Sequence, residues 1–180
     1  MSKLLLWCDT ETTGLDPVTD DMLEVAFIVT EDLQIVDEIS FVIKKPDIQF
    51  LKDKCIPKVY EMHNQNSLWL DLESAKFLMP EVEEKCISFI EKYFDIYVND
   101  SYNAPVLAGS NPIFDKNFLR QNMPTLYELL HYRTFDLNAV YMFMDFKKDN
   151  TTPRNHRALS DIYADILAAN TMKESVLVTV

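Results

Sequence analysis

The sequence predicts an α/β domain built on a mixed five-stranded sheet, with three antiparallel strands, then parallel strands, flanked by helices. Three observations carry this. An opening apolar run, Leu4-Leu5-Leu6-Trp7-Cys8, is followed by two stretches with strand-like alternation at short spacing. Two short apolar segments come later, each leading into a stretch with helical periodicity. No glycine-, serine- or proline-rich tract and no repeat divides the chain, so residues 1–180 are expected to form a single domain.

Residues 4–9 read as a buried strand. Met22 to Thr30 is a second, with Leu23, Val25, Phe27 and Val29 at period two. Glu31-Asp32 offers a turn, and Ile35 to Ile43 gives a third strand, which makes an antiparallel meander. From Pro46 to Pro80 the chain is polar, with a short helix expected near Asp53–Met62 and a loop at His63–Ser67. Glu81 to Phe94 is a helix, with Val82, Cys86, Phe89, Ile90 and Tyr93 on one face. Pro105 to Gly109 is a short buried strand. A helix runs from Pro112, a proline in its first turn, to Gln121, and Pro124 opens another. Thr134–Leu137 is the last strand and Asn138–Phe146 a helix. Lys147–Asn155 is a polar loop, and Ala158–Glu174 a helix with Leu159, Ile162, Tyr163, Ile166 and Leu167 inward.

Composition narrows the function. The chain has 180 residues, 48% of them apolar, enough for a sizeable core. No apolar run reaches the ~20 residues that span a bilayer, and the opening run ends at Asp9, unlike a cleaved leader. No membrane partner is expected. Cys8, Cys55 and Cys86 make no metal-binding spacing and read as free thiols of a reducing compartment, the cytoplasm. A formal charge of −12 argues against a long nucleic-acid groove, which needs a dense basic stripe. A polyanionic substrate would be short, or gripped locally, with bound metal cancelling part of the charge.

The chemistry starts at Asp9 and Glu11, which close the first strand. Side chains at i and i+2 share a face, so the two carboxylates sit together at the strand's carboxyl end. Like charges that close repel unless a cation holds both, which suggests a hard-metal site. Asp115 lies in the first turn of an expected helix, and His156 precedes Asp161 by five residues. Each alone has an ordinary explanation. An acid suits a helix N-terminus, and a lone histidine suits a polar loop. Together they supply four acids and a histidine, the set that two-metal phosphoryl chemistry needs. Asp165, one turn beyond Asp161, is expected farther from the strand ends.

These segments resemble the DEDDh class of 3′-to-5′ exonucleases, which share an RNase H-like fold. The first motif is Asp9-Thr10-Glu11-Thr12-Thr13-Gly14-Leu15, the second Gly109-Ser110-Asn111-Pro112-Ile113-Phe114-Asp115, and the third His156-Arg157-Ala158-Leu159-Ser160-Asp161. Within the class the chain is most similar to the oligoribonucleases. Trp7-Cys8-Asp9-Thr10-Glu11, the His63 loop ending in Ser67-Leu68, Met123-Pro124-Thr125-Leu126 and His131-Tyr132-Arg133-Thr134-Phe135-Asp136 carry that likeness.

The resemblance implies two divalent cations, Mg²⁺ or Mn²⁺, with Asp9 bridging them and Glu11, Asp115 and Asp161 completing the shell. Such ions lower the pKa of a water and stabilise the leaving 3′ oxygen. His156 would take the water's proton, since an imidazole ordinarily titrates near ~6.5. The product would be a nucleoside 5′-monophosphate. Leu15 matches an apolar wedge between bases, and a loop residue packed on the core is the alternative. His63 matches a residue near the substrate's 3′ end. Tyr132 and Arg133 match residues at the 5′ phosphate of a very short substrate, the tyrosine reaching a partner subunit's site in a homodimer. Thr10 and Asn111, inside the motifs, join the substrate set. Asp136 reads as structural.

Three departures stand out. Asn138 and Ala139 occupy positions where the family carries hydroxyls near the phosphate. Asn111-Pro112 replaces the usual Ser-Ile, and Asn66-Ser67-Leu68 the usual Ser-Gly-Leu. They weaken the expectation of a strict dinucleotide preference. The expected substrate is therefore short single-stranded RNA, with DNA open. A general single-stranded DNA exonuclease of proofreading or repair type is the alternative, and a binding module with an inactive site is the reading from another class.

Overall fold

The computed structural model describes residues 4–96, 104–146 and 155–178. Five strands form one sheet: β1 (Leu4–Thr12), β2 (Met22–Glu31), β3 (Gln34–Val42), β4 (Leu107–Gly109) and β5 (Thr134–Asp136). Their spatial order is β3-β2-β1-β4-β5. β2 runs antiparallel to both β1 and β3, whereas β4 pairs parallel with β1 and β5 with β4. The expected mixed sheet is present. The β2–β3 hairpin turns on Asp32 and Leu33, both at positive φ, one residue later than Glu31-Asp32. Such two-residue turns match the twist of paired strands.

Alternation along β1 divides the core. Leu6 and Cys8 face a cluster with Val25, Phe27 and Val29. That side is covered by α4 (Met79–Ile90), α5 (Pro112–Asn122) and α6 (Pro124–Leu129). Leu5 and Trp7 face the other side with Ala26 and Ile28, under α7 (Leu137–Phe143) and α8 (Ala158–Val178). β2 is buried on both faces, so its apolar run is nearly continuous, as a doubly covered strand requires. Each large side chain sealed this way contributes roughly 1.5–3 kcal/mol. Trp7 is fully buried, and its indole N–H donates to Thr30 Oγ1 at 2.9 Å.

The segment between β3 and α4 differs from expectation. It holds three short helices, α1 (Ile48–Lys54), α2 (Pro57–Gln65) and α3 (Leu68–Ser74), where one was expected over 53–62. Pro57 explains the break. It holds Ile56 extended, at ψ 130, and opens a new helix at its first position. His63 therefore sits in the last turn of α2, not in a loop. Ser67, where the family carries glycine, adopts φ 65, the left-handed region that glycine enters freely. α4 begins at Met79, because Pro80 fits its first turn and the Glu81 carboxylate accepts the Leu78 N–H at 2.8 Å, and it ends at Ile90, so it lies earlier at both ends than 81–94. In α8 the inward stripe is Ile162, Ile166, Ala169 and Met172, while Tyr163 and Leu167 are exposed. The Tyr163 hydroxyl reaches across to Glu38 on β3. Of the polar loop expected over 147–155, only Asn155 lies within the described residues.

Candidate active site

The apolar half of β1 anchors the strand in the core, and its last turns of pleat carry the acids. Asp9 and Glu11 project from the face covered by α8, whose first turn supplies Asp161. One carboxylate oxygen from each of the three lies within 4.8 Å of the others. The positive end of the α8 dipole favours an acid there. Asp115 approaches from the first turn of α5 and accepts a 2.8 Å hydrogen bond from Thr10 Oγ1. It stands outside the group of three, yet near enough to act on Asp9. Asp165 also stands outside that group, as expected. It is nevertheless buried, and its charge acts on both Asp9 and Asp115.

Burial is the leading cause of the shifts at Asp9, Glu11 and Asp115. It lifts Asp9 well above the usual carboxylate range, with Asp115, Glu11, Asp161 and Asp165 adding repulsion. Glu11 is pushed up to about 9 by burial and then by Glu24 and Asp161, with Arg157 opposing. Asp115 rises to about 7 by burial, against the pull of the Thr10 hydroxyl. Oxygen donors this crowded and this reluctant to ionise fit a hard divalent cation, which would replace their mutual repulsion with attraction.

The same shifts set the pH dependence of the cation-free protein. Glu11 and Asp115 titrate near 9 and 7 in the fold against ordinary values of 4.5 and 3.8. The folded state then binds more protons than the unfolded one between about pH 4 and pH 9, so stability falls as pH rises through that window. In EDTA the melting temperature is expected to drop from pH 5 to pH 8, and a divalent cation is expected to restore it. A melting temperature that climbs with pH in EDTA would contradict this.

His156 stands just before α8 with its side chain 48% exposed and Nδ1 3.9 Å from Asp161 Oδ2. His63 is different. It is fully buried under the end of β1, where Nε2 donates to the Thr12 carbonyl at 2.9 Å. That bond leaves Nδ1 as the unprotonated nitrogen, 3.9 Å from Glu11 Oε2. Burial lowers its pKa, so it faces the acids as a neutral ring.

The other expected substrate residues lie in the segments that follow β1 and precede α5 and β5. Leu15 is 72% exposed, which removes the reading of a loop residue packed on the core. It follows Gly14, where a Cβ would collide with the Asp20 carboxylate. Asn111 caps α5 at φ 62, a conformation asparagine tolerates, and its N–H donates to Asp136 Oδ1 at 3.2 Å. Asp136 also accepts the Asn138 N–H at the start of α7, so it is structural in the described contacts. Tyr132 is exposed, stacked on His131, with the Arg133 guanidinium 5.2 Å from its ring centre. Two charged residues escaped sequence reasoning. Lys116 Nζ donates to the His131 and Tyr132 carbonyls, at 2.6 and 3.3 Å, and so ties α5 to the Tyr132 loop. Glu24 is buried opposite Glu11 in the strand register. A lone acid inside the apolar run of β2 was its visible signal.

A mixed sheet with acids converging at one strand's carboxyl end fits the RNase H-like fold of metal-dependent phosphodiester hydrolases. The chain belongs to the exonuclease family, within the DEDDh 3′-to-5′ class, and the family's sequence profile (RNase T, exonuclease) matches residues 6–169. Among relatives, the probable oligoribonuclease of Dictyostelium discoideum is 32% identical, covering 92% of this chain and 86% of that protein. The oligoribonuclease of Cutibacterium acnes is 33% identical, over 91% and 81%. That of Mycobacterium leprae is also 33% identical, over 92% and 78%. Among solved structures, E. coli exonuclease I with a dA16 oligonucleotide superposes with a TM-score of 0.69 at 18% identity, over 96% of this chain. Its zinc-bound complex with single-stranded DNA gives 0.64 at 17% identity, over 97% of this chain. The chain spans only 41% of either exonuclease I chain, so that likeness speaks for the fold alone.

Proposed function

We propose that this protein, acting as one domain over residues 1–180, hydrolyses short single-stranded oligonucleotides from the 3′ end, RNA foremost, and releases nucleoside 5′-monophosphates. The observation that carries the reading is the meeting of Asp9, Glu11 and Asp161 oxygens within 4.8 Å, with His156 beside Asp161. Asp9, Glu11, Asp115 and Asp161 would hold two divalent cations, Mg²⁺ or Mn²⁺. When bound, these supply charge stabilisation and a more acidic water. His156 then removes the attacking water's proton from the solvent side, where its half-exposed ring has room to move. The Thr10 hydroxyl holds Asp115 by its hydrogen bond, neutral His63 packs near Glu11, and Asn111 opens the helix that carries Asp115.

Exposed Leu15 suits a wedge between bases. The Arg133 fork, steadied over Tyr132, suits a terminal 5′ phosphate. A clamp on that phosphate, in a chain of charge −12, favours a substrate of few nucleotides. Met142 and Phe143 on α7 are 84% and 92% exposed, adjacent apolar side chains suited to a homodimer contact, and Tyr132 is exposed as well. Among the described residues no helix is long and apolar enough to cross a membrane. The three cysteines are free and buried, in keeping with a cytoplasmic setting. One observation favours the second reading, a general DNA exonuclease: Asn138 and Ala139 stand where hydroxyls would grip the terminal phosphate.

The test uses 5′-labelled RNA and DNA, each as a dinucleotide and as a strand of about 20 nucleotides, with Mg²⁺, Mn²⁺ or EDTA. Rapid cleavage of the RNA dinucleotide and slow attack on long strands is expected. Efficient shortening of long DNA would move the assignment to the second reading. Sedimentation showing only monomer would remove the dimer.

A further inference from the structure

Arg157 directly follows His156, and no step above uses it. Its guanidinium is held on three sides. Nε and Nη2 donate to the two carboxylate oxygens of Glu24, each at 3.0 Å. Nη1 donates to Asp71 Oδ2 at 2.7 Å and to the Asn66 carbonyl at 3.4 Å. A planar fork bound this way is fixed in direction as well as in place. The partners are themselves anchored. Glu24 is 4% exposed on β2, and its Oε2 also accepts the Ala158 N–H at the start of α8, at 3.3 Å. Asp71 and Asn66 belong to α3 and the turn before it.

The same bonds surround His156. The Asn66 amide donates to the His156 carbonyl. The Asn155 side-chain oxygen accepts the Arg157 N–H at 3.1 Å. His156 lies at φ 52, a region a non-glycine residue keeps only when its neighbours hold it there. Its imidazole touches Asp161 at 3.9 Å and no described contact locks the ring itself. The ring's place beside Asp161 therefore depends on the backbone, which Asn66 holds at the His156 carbonyl and Arg157 holds at the next residue, Arg157 also bonding Asn66.

We propose that Arg157 is a positioning residue that fixes His156 beside the carboxylate cluster, acting through Glu24, Asp71 and Asn66. This rests on the exonuclease reading of His156. The test compares Arg157→Met, Arg157→Lys and the double variant Glu24→Gln/Arg157→Met, each also in a His156→Ala background. The double variant matters because Arg157→Met alone strands a buried Glu24 charge and can fail to fold.

Both Met variants are expected to lose about 100-fold in kcat, the scale of a misplaced catalytic group. Arg157→Lys, which cannot fork between Glu24 and Asp71, is expected to recover only part of it. Substrate KM is expected to stay within about threefold in every variant, and Mn²⁺ affinity by titration calorimetry to do so in the double variant, where the opposed charges of Glu24 and Arg157 on Glu11 are removed together. In the His156→Ala background the further loss is expected to be under about twofold, because residues acting as a unit are not additive. A full loss repeated in that background, or a double variant at the wild-type rate, would overturn the proposal. A wild-type protein inert on every oligonucleotide would be a separate failure, of the function itself, and would take the proposal with it.

Discussion

Asp9→Ala is expected to abolish hydrolysis and divalent-cation binding together, and to raise the stability of the cation-free protein at alkaline pH. Asp9 is the acid crowded most, with Asp115, Glu11, Asp161 and Asp165 all pushing its pKa up beyond the effect of burial. A cation held between it and its neighbours is worth several kcal/mol to a phosphoryl transition state. At about 1.36 kcal/mol per tenfold, its loss costs roughly 10³-fold in rate or more. Without a cation the same carboxylate only repels. The variant in EDTA should therefore melt higher than wild type at pH 8. At pH 5 the difference should shrink, because the wild-type cluster there already carries protons. Titration calorimetry with Mn²⁺ and melting curves in EDTA check both halves. Unchanged cation affinity would remove Asp9 from the ligand set, and a lower melting temperature at pH 8 would show that repulsion is not what governs the apo cluster.

Most of the sheet was legible because its strands obey local rules. β1 is an apolar run that ends in charge, β2 is a nearly continuous apolar run, and β3 follows it through a two-residue turn. β4 and β5, only three residues each, were legible through the proline-led helices and polar segments that bound them. The segment between β3 and α4 was not. Its helices of seven to nine residues are too short for a clear periodic face. Their order depends instead on single residues, such as the Asp47 cap that accepts the Phe50 N–H and the stop imposed by Pro57. The error over Tyr163 and Leu167 has a similar origin. Several stripes of α8 are apolar, so hydropathy alone does not choose among them, and the sheet beneath selects Ile162 and Ile166.

The acids were legible as a set because strand alternation and helix starts place them by geometry that a sequence displays. What surrounds them was not. His63 looks like a loop residue until α2 is seen to carry it under Thr12. Lys116, Glu24 and Arg157 act through partners 15 to 134 positions away in sequence. Long-range pairing of that kind leaves no period to read. It is also what turns a motif into a site, because it fixes where the motif's side chains point.

His156→Ala isolates one of those side chains. It is expected to leave Mn²⁺ affinity unchanged and to cut kcat by about 10²–10⁴-fold, the range of a lost general base. The geometry separates this effect from structural damage. The ring is half exposed, so its removal opens no cavity in the core. Asn66 holds the His156 carbonyl and not the imidazole, so the loop keeps its restraint in the variant. α8 stays anchored through Glu24 and Ala158, which keeps Asp161 in place. Surface changes of this kind usually move stability by no more than about 0.5 kcal/mol, so the melting curve with cation should overlay that of wild type. The pH–rate profile should lose the rising limb that a base contributes. A variant that turns over at the wild-type rate would end the general-base role. One that loses cation binding along with activity would instead place the imidazole, 3.9 Å from Asp161, among the metal ligands.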